Sequence, residues 1–161
     1  MNFRLIKSLA SGWLMMVTII ALSSCRHVSF GAESDIEATV DSFACDYFNW
    51  HFEEAARHCT PESERWLRYA ASNVHQADID LLTHQEESAQ HEILEINMDE
   101  NDTTATAHLT VRNYLHMDTI GTKGHFVNQA DFVLNLVRRN GRWLVRMGGL
   151  PRSEKRNRDR S

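Results

Sequence analysis

The sequence predicts an α+β domain in which amino-terminal helices cover one face of a curved antiparallel sheet of about four strands. Three observations predict it. Apolar residues recur at helical spacing as far as Val74, and beyond residue 90 the pattern changes to alternation. Near the carboxyl end, Asn140-Gly141 separates two alternating runs by two residues, a strong short-range hairpin signal. Helices followed by a meander of strands define the class.

The first helix is expected from Ser34. In "SDIE" the Ser34 hydroxyl can cap the helix and Glu37 can reach back, a capping box. Ile36, Val40, Phe43 and Tyr47 trace an apolar stripe that Phe48 widens. A break is expected near "NWH" at residues 49 to 51, then a short helix across "FEEAARH". "TPES" restarts the chain, with Thr60 as cap and Pro61 in the first helical position, where its missing N–H costs nothing. Trp66, Tyr69, Ala70 and Val74 mark the expected buried face of a third helix, and "ADIDLLTH" reads either as a further turn or as a loop packed by Ile79 and Leu82.

Alternation then places Leu94, Ile96 and Met98 on one face of a first strand. Ala105, Ala107, Leu109, Val111, Leu115 and Met117 share one face of a second. In the last hairpin the Asn140-Gly141 turn pairs Arg139 with Arg142, sets Leu136 opposite Val145 and sets Leu134 opposite Met147. The preceding connection, closed at Gly121-Thr122, sets Leu109 opposite Leu134 and Arg112 opposite Asp131.

Upstream of the domain, Arg4 and Lys7 precede the apolar run from Gly12 to Leu22. That run is about half the roughly 20 residues a membrane-spanning helix needs, and it has the length of a signal core. Its ending, "LSSC", resembles the lipobox of bacterial lipoproteins. The resemblance implies that residues 1–24 are a signal peptide and that Cys25 is lipidated on sulfur, becomes the amino terminus and is acylated on nitrogen, with palmitate as the characteristic chain. Several acyl chains hold a bilayer stably where one, at about 0.8 kcal/mol per CH₂, binds only marginally. Arg26 stands where aspartate marks inner-membrane retention, so the same resemblance implies the outer membrane of a Gram-negative bacterium, with the leaflet left open. An ordinary secretory signal, leaving Cys25 a plain thiol, is the other reading. Residues 25–33 then form a tether, 34–150 one domain, and 151–161 a basic disordered tail.

The 161-residue chain carries a formal charge of −5. Without Arg4 and Lys7 the remainder is at −7, and the five basic and two acidic residues from Arg152 to Arg160 leave the body at −10. Such a body disfavours nucleic acid, whose backbone demands a positive face. Cys45 and Cys59 belong to an exported chain, where disulfides persist. On one unbroken helix they would lie roughly 21 Å apart, so a bond between them requires the break near residue 50. Two separate thiols are the alternative.

The segments "FACDYFNWHFEEAARHCTPE" and "FVLNLVRRNGRWLV" resemble the nuclear transport factor 2-like superfamily, and more narrowly the small Gram-negative lipoproteins that carry such a domain. The resemblance covers residues 34 to 149, and a SnoaL-like or cystatin-like relative shares the helix-on-sheet plan. It implies a cone between helices and sheet that serves as a pocket. Enzymatic members of the isomerase type place an acidic base and a tyrosine there. In this chain the expected inward rows are almost wholly apolar, with Asn113 and Asn128 their polar members, and neither amide can act as a proton-transfer base. No catalytic set is therefore assigned.

Tyr47, Trp50, Trp66 and Tyr69, with Asn113 and Asn128, are the candidate pocket, although aromatics at helical spacing also suit a plain core. Tyr114, Val133 and Val137 are expected on the outward sheet face, a candidate homodimer surface. His51, Glu54 and His58 have helical spacing, yet the break near His51 spoils a zinc set, so no metal and no cofactor are expected. Phosphate-loop and nucleophile-elbow motifs do not occur. The functional expectation is a lipid-anchored, non-enzymatic module that binds a small apolar ligand or another protein. The alternative is an enzyme of the isomerase, dehydratase or hydrolase type using the cone.

Overall fold

The computed structural model describes residues 29–117 and 123–154. The expected signal segment, Cys25 and the end of the basic tail lie outside them. Helix α1 spans Ser29–Phe48, α2 Phe52–Ala56, α3 Glu64–Ser72 and α4 Gln76–Thr83, with a 3-10 turn at Pro61–Ser63. Strands follow at Gln90–Met98 (β1), Thr104–His116 (β2), His125–Arg139 (β3), Arg142–Val145 (β4) and Ser153–Glu154 (β5). The antiparallel sheet runs β1-β2-β3-β4, and β5 pairs with β3. Helices packed on this sheet give the α+β class read from the sequence.

Helix α1 starts at Ser29, inside the expected tether, so Ser34 lies within the helix and does not cap it. Gly31 does not stop the helix, since an interior glycine costs only about 1 kcal/mol relative to alanine. Ile36, Val40 and Phe43 are fully buried, as the stripe requires. The face of α3 is rotated from the expected one. Leu67 and Ala70 are buried, while Trp66 is half-buried and Tyr69 is 44% exposed. In α4 the buried side chain is Asp78, and Ile79 points to solvent.

Polar side chains join the helices to the sheet. Asn49 donates to the carbonyls of Cys45 and Ala89 and accepts from the Ala89 N–H, which fixes the end of α1 to the start of β1. Thr60 and Ser63, both fully buried, are linked through their hydroxyls at 2.8 Å, and the Ser63 hydroxyl accepts from the Met147 N–H. The Thr60 hydroxyl thus serves Ser63 and makes no cap to the helix backbone. Pro61 occupies the first position as expected.

The last hairpin has the expected register, with Arg139 opposite Arg142 and Leu136 opposite Val145. Asn140 and Gly141 both take positive φ, the requirement of this two-residue turn. Strand β4 ends at Val145, so Met147 is buried beyond the ladder and is not paired with Leu134. The β2–β3 register differs from expectation by two. Leu109 faces Phe132, Thr110 faces Asp131 and Arg112 faces Gln129. An even shift leaves every side chain on its face, so burial alone does not select between the two registers. Thr110 now donates to Asp131 at 2.6 Å, and Arg112 donates to Glu92.

Two local irregularities exchange faces. A bulge between Ile93 and Glu95 leaves Leu94 57% exposed and gives its inward place to Ile93. In β2, Asn113 has φ of 54°, in the left-handed region, and the next residue, Tyr114, turns inward to 4% exposure. Asparagine tolerates this conformation and a β-branched residue does not. Asn113→Val is expected to cost about 1–2 kcal/mol and Asn113→Gly close to nothing. Urea unfolding of the two variants checks the difference.

On the surface, Arg139 Nη1 donates to both carboxylate oxygens of Glu62, at 2.8 and 2.9 Å. Chiefly through this bond, the Glu62 carboxyl is held at about 2. Its pKa is thus depressed on folding. The contribution is present above the unfolded value of about 4.3 and is lost as pH falls through the folded one. Glu62→Gln is therefore expected to flatten the fall in stability between about pH 4 and pH 2. Because the pair is exposed, the change is small, and urea midpoints across that range measure it.

Candidate functional site

The site begins where α1 ends. The Trp50 N–H returns to the Tyr47 carbonyl and the His51 N–H to the Asp46 carbonyl, the reversed pair of bonds that ends a helix on a left-handed residue. Glycine usually occupies that position, but here Trp50 takes it, with φ of 64°. Its indole N–H donates to the Leu115 carbonyl at 3.2 Å, which ties the turn to the end of β2.

A cavity of about 660 Å³ opens beside this turn. Tyr47 and Phe48 from α1, Phe52 from α2, and Trp66, Tyr69 and Ala70 from α3 form one side with Trp50. Tyr114 to Met117, Phe132 and the segment Gly148–Arg152 form the other. The rings are mutually packed. Phe43 stacks on Tyr47 at 5.3 Å, and Phe48 meets Tyr114 at 5.7 Å and Phe132 at 4.7 Å. Burial pushes the Tyr47 phenol above its ordinary range, and that of Tyr114 in the same direction, so both stay protonated and able to donate. The indole N–H groups of Trp66 and Trp143 are buried with no acceptor among the described residues, and Trp66 is part of the cavity wall. Arg65 lies over the Trp66 ring at 4.9 Å.

The described lining residues include no carboxylate. Asp131 and Glu154 instead line an adjoining groove of about 620 Å³, with His125 and with the Tyr114 and His116 it shares with the cavity. No family model matches the sequence. None of the curated proteins matches it either. Similar solved structures include two of low identity. One is a putative calcium/calmodulin dependent protein kinase II association domain from Xanthomonas campestris, 16% identical, covering 69% of this chain and 80% of that one with a TM-score of 0.42. The other is a variant of Rv3472, a protein of unknown function from Mycobacterium tuberculosis, 12% identical, covering 93% and 78% with a TM-score of 0.45.

Of the residues expected in the pocket, Tyr47, Trp50, Trp66 and Tyr69 line the cavity, while Asn113 and Asn128 do not. The Asn113 side chain donates to Glu87, because its left-handed backbone ends the alternation of β2, and Asn128 is exposed on β3, where Val127 and Ala130 pack on the core. Tyr114 is corrected for the same left-handed break in β2. It belongs to the cavity and not to the outward face, and Val137 is itself buried at 7% exposure. The lining of Gly148–Arg152 gave no periodic signal, since it follows the last regular strand. The expected disordered tail also begins in order, as Ser153 and Glu154 pair with Phe132 and Asp131.

Cys45 and Cys59 are free thiols, Cys45 exposed and Cys59 buried. The helix break needed for a disulfide is present, but it carries Cys59 inward to 3.9 Å from the Met147 sulfur while Cys45 faces solvent from α1. Burial pushes the Cys59 thiol up to about 12, so it behaves as a small apolar group. His51 precedes α2 and His58 follows it, and each turns toward Asp46, at 4.0 and 3.8 Å.

Proposed function

We propose that the chain is a lipid-anchored binding module of the cell envelope, held by Cys25, whose aromatic cavity takes a small apolar ligand. The observation that carries the binding part is Trp50. Strained backbone persists where surrounding structure over-determines it, and it gathers at ligand sites. A bulky aromatic in a glycine position, pinned by its own indole to Leu115, supplies cavity wall at the expense of local backbone energy. The enzymatic alternative is the weaker reading, since no carboxylate lies among the described lining residues to serve as an isomerase-type base.

Trp50→Gly separates wall from fold. Glycine relieves the left-handed strain, so stability is expected to stay within about 1 kcal/mol while binding is lost. Binding is read with N-phenyl-1-naphthylamine, a neutral probe whose fluorescence rises in apolar surroundings, alongside native mass spectrometry for co-purified ligand. Silence from both methods with the unsubstituted chain would sink the binding reading. For the anchor, acyl mass is expected on the exported chain and absent after Cys25→Ser. An unmodified wild-type terminus would remove it.

A further inference from the structure

We infer that the cavity takes a planar apolar molecule bearing an anionic oxygen group, a refinement that rests on the binding reading above. The flat faces of Tyr47, Trp50, Trp66, Tyr69 and Tyr114 favour a planar body, since aromatic rings pack in stacked and edge-on contacts. The described lining carries one guanidinium, beside the phenols and the His116 imidazole. Arg152 is exposed at the lining and makes no ion pair among the described residues. The phenols in the lining can donate. A body at −10 thus surrounds a cavity whose described lining has a guanidinium and no carboxylate.

Such a lining discriminates by charge. A cationic ligand would bring a positive charge to a site with no anion to receive it, while the carboxylates Asp131 and Glu154 lie in the next groove. An anionic oxygen gains a charge-assisted bond from Arg152, the stronger class of hydrogen bond. Because Arg152 is exposed, its part in this preference weakens with salt.

Calorimetric titration with 2-naphthoate and 2-naphthamide tests the inference, because the two share shape and differ in charge. At low salt the naphthoate is expected to bind roughly three- to tenfold more tightly, a preference that collapses to parity in Arg152→Ala and partly survives in Arg152→Lys. Equal affinity, or tighter binding of the amide, would overturn the anionic class and leave the binding reading standing. A preference that persists in Arg152→Ala would overturn the role of the guanidinium. Failure of both probes to bind would overturn this inference, while the neutral fluorescent probe reports separately on the cavity itself.

Discussion

Phe48→Ala is expected to lower the stability of the domain by about 3–5 kcal/mol, the range for a large aromatic deleted from a packed core. Phe48 is the last residue of α1 and is 5% exposed. Its ring meets Tyr47 at 5.1 Å, Tyr114 at 5.7 Å and Phe132 at 4.7 Å, so one side chain connects the first helix to both central strands. Each such ring pair contributes roughly 0.5–1.5 kcal/mol beyond burial. The void left by alanine would merge with a cavity that already opens beside Phe48, so the surroundings have little means of collapsing into it. Phe48→Leu retains most of the volume and should cost less than half as much. Urea unfolding with an unchanged m-value measures both. A loss below about 1 kcal/mol for alanine would show that helix and sheet are joined elsewhere, because a ring in this position cannot be removed from a real core at so small a cost.

How far this site was legible in the sequence depended on which residues set a period and which interrupted one. Asn140 and Gly141 fix their own turn, so the last hairpin could be paired residue by residue. The β2–β3 connection has no comparable two-residue signal, and two even-shifted registers bury the same apolar set, so the choice fell two residues away. Helical spacing found Tyr47, Trp66 and Tyr69, since any aromatic on the inner side of α1 or α3 approaches the sheet. Alternation misplaced Asn113 and Tyr114 because one asparagine in a left-handed conformation ends the count in β2, and it misplaced Asn128 on β3, where Val127 and Ala130 pack on the core. Asparagine in a strand is a weak hint of such a break, as it is among the few residues that accept positive φ. The bulge at Leu94 gave less warning, since the adjacent apolar pair Ile93-Leu94 interrupts the alternation once and either residue could take the inward place.

Asp78→Ala is expected to cost about 3 kcal/mol, out of proportion to one short side chain in an eight-residue helix. Asp78 is 2% exposed. One carboxylate oxygen accepts from the His75 N–H at 3.0 Å, in the first turn of α4, and the other from the Gly124 N–H at 2.8 Å, just before β3. The side chain therefore bridges the entry of a helix and the entry of a strand 46 residues apart in sequence. Alanine would leave two donors without acceptors, at about 1–3 kcal/mol for the buried Gly124 N–H and less for the part-buried one of His75. The approach is close enough that a Cβ on Gly124 would lie 2.8 Å from the His116 carbonyl oxygen, so only glycine fits there without a shift of the chain. Asp78→Asn keeps one acceptor oxygen but turns an NH₂ toward the second donor, and an intermediate loss is expected. Amide hydrogen exchange at residues 75 and 124 should accelerate in both variants, while the β3–β4 hairpin stays protected. Near-neutral stability of Asp78→Ala would mean that water reaches both N–H groups and that α4 is held by Leu81 and Leu82 instead. Otherwise a buried carboxylate at the third position of α4 is what joins this helix to the β2–β3 connection and, through His116, to the rim of the cavity.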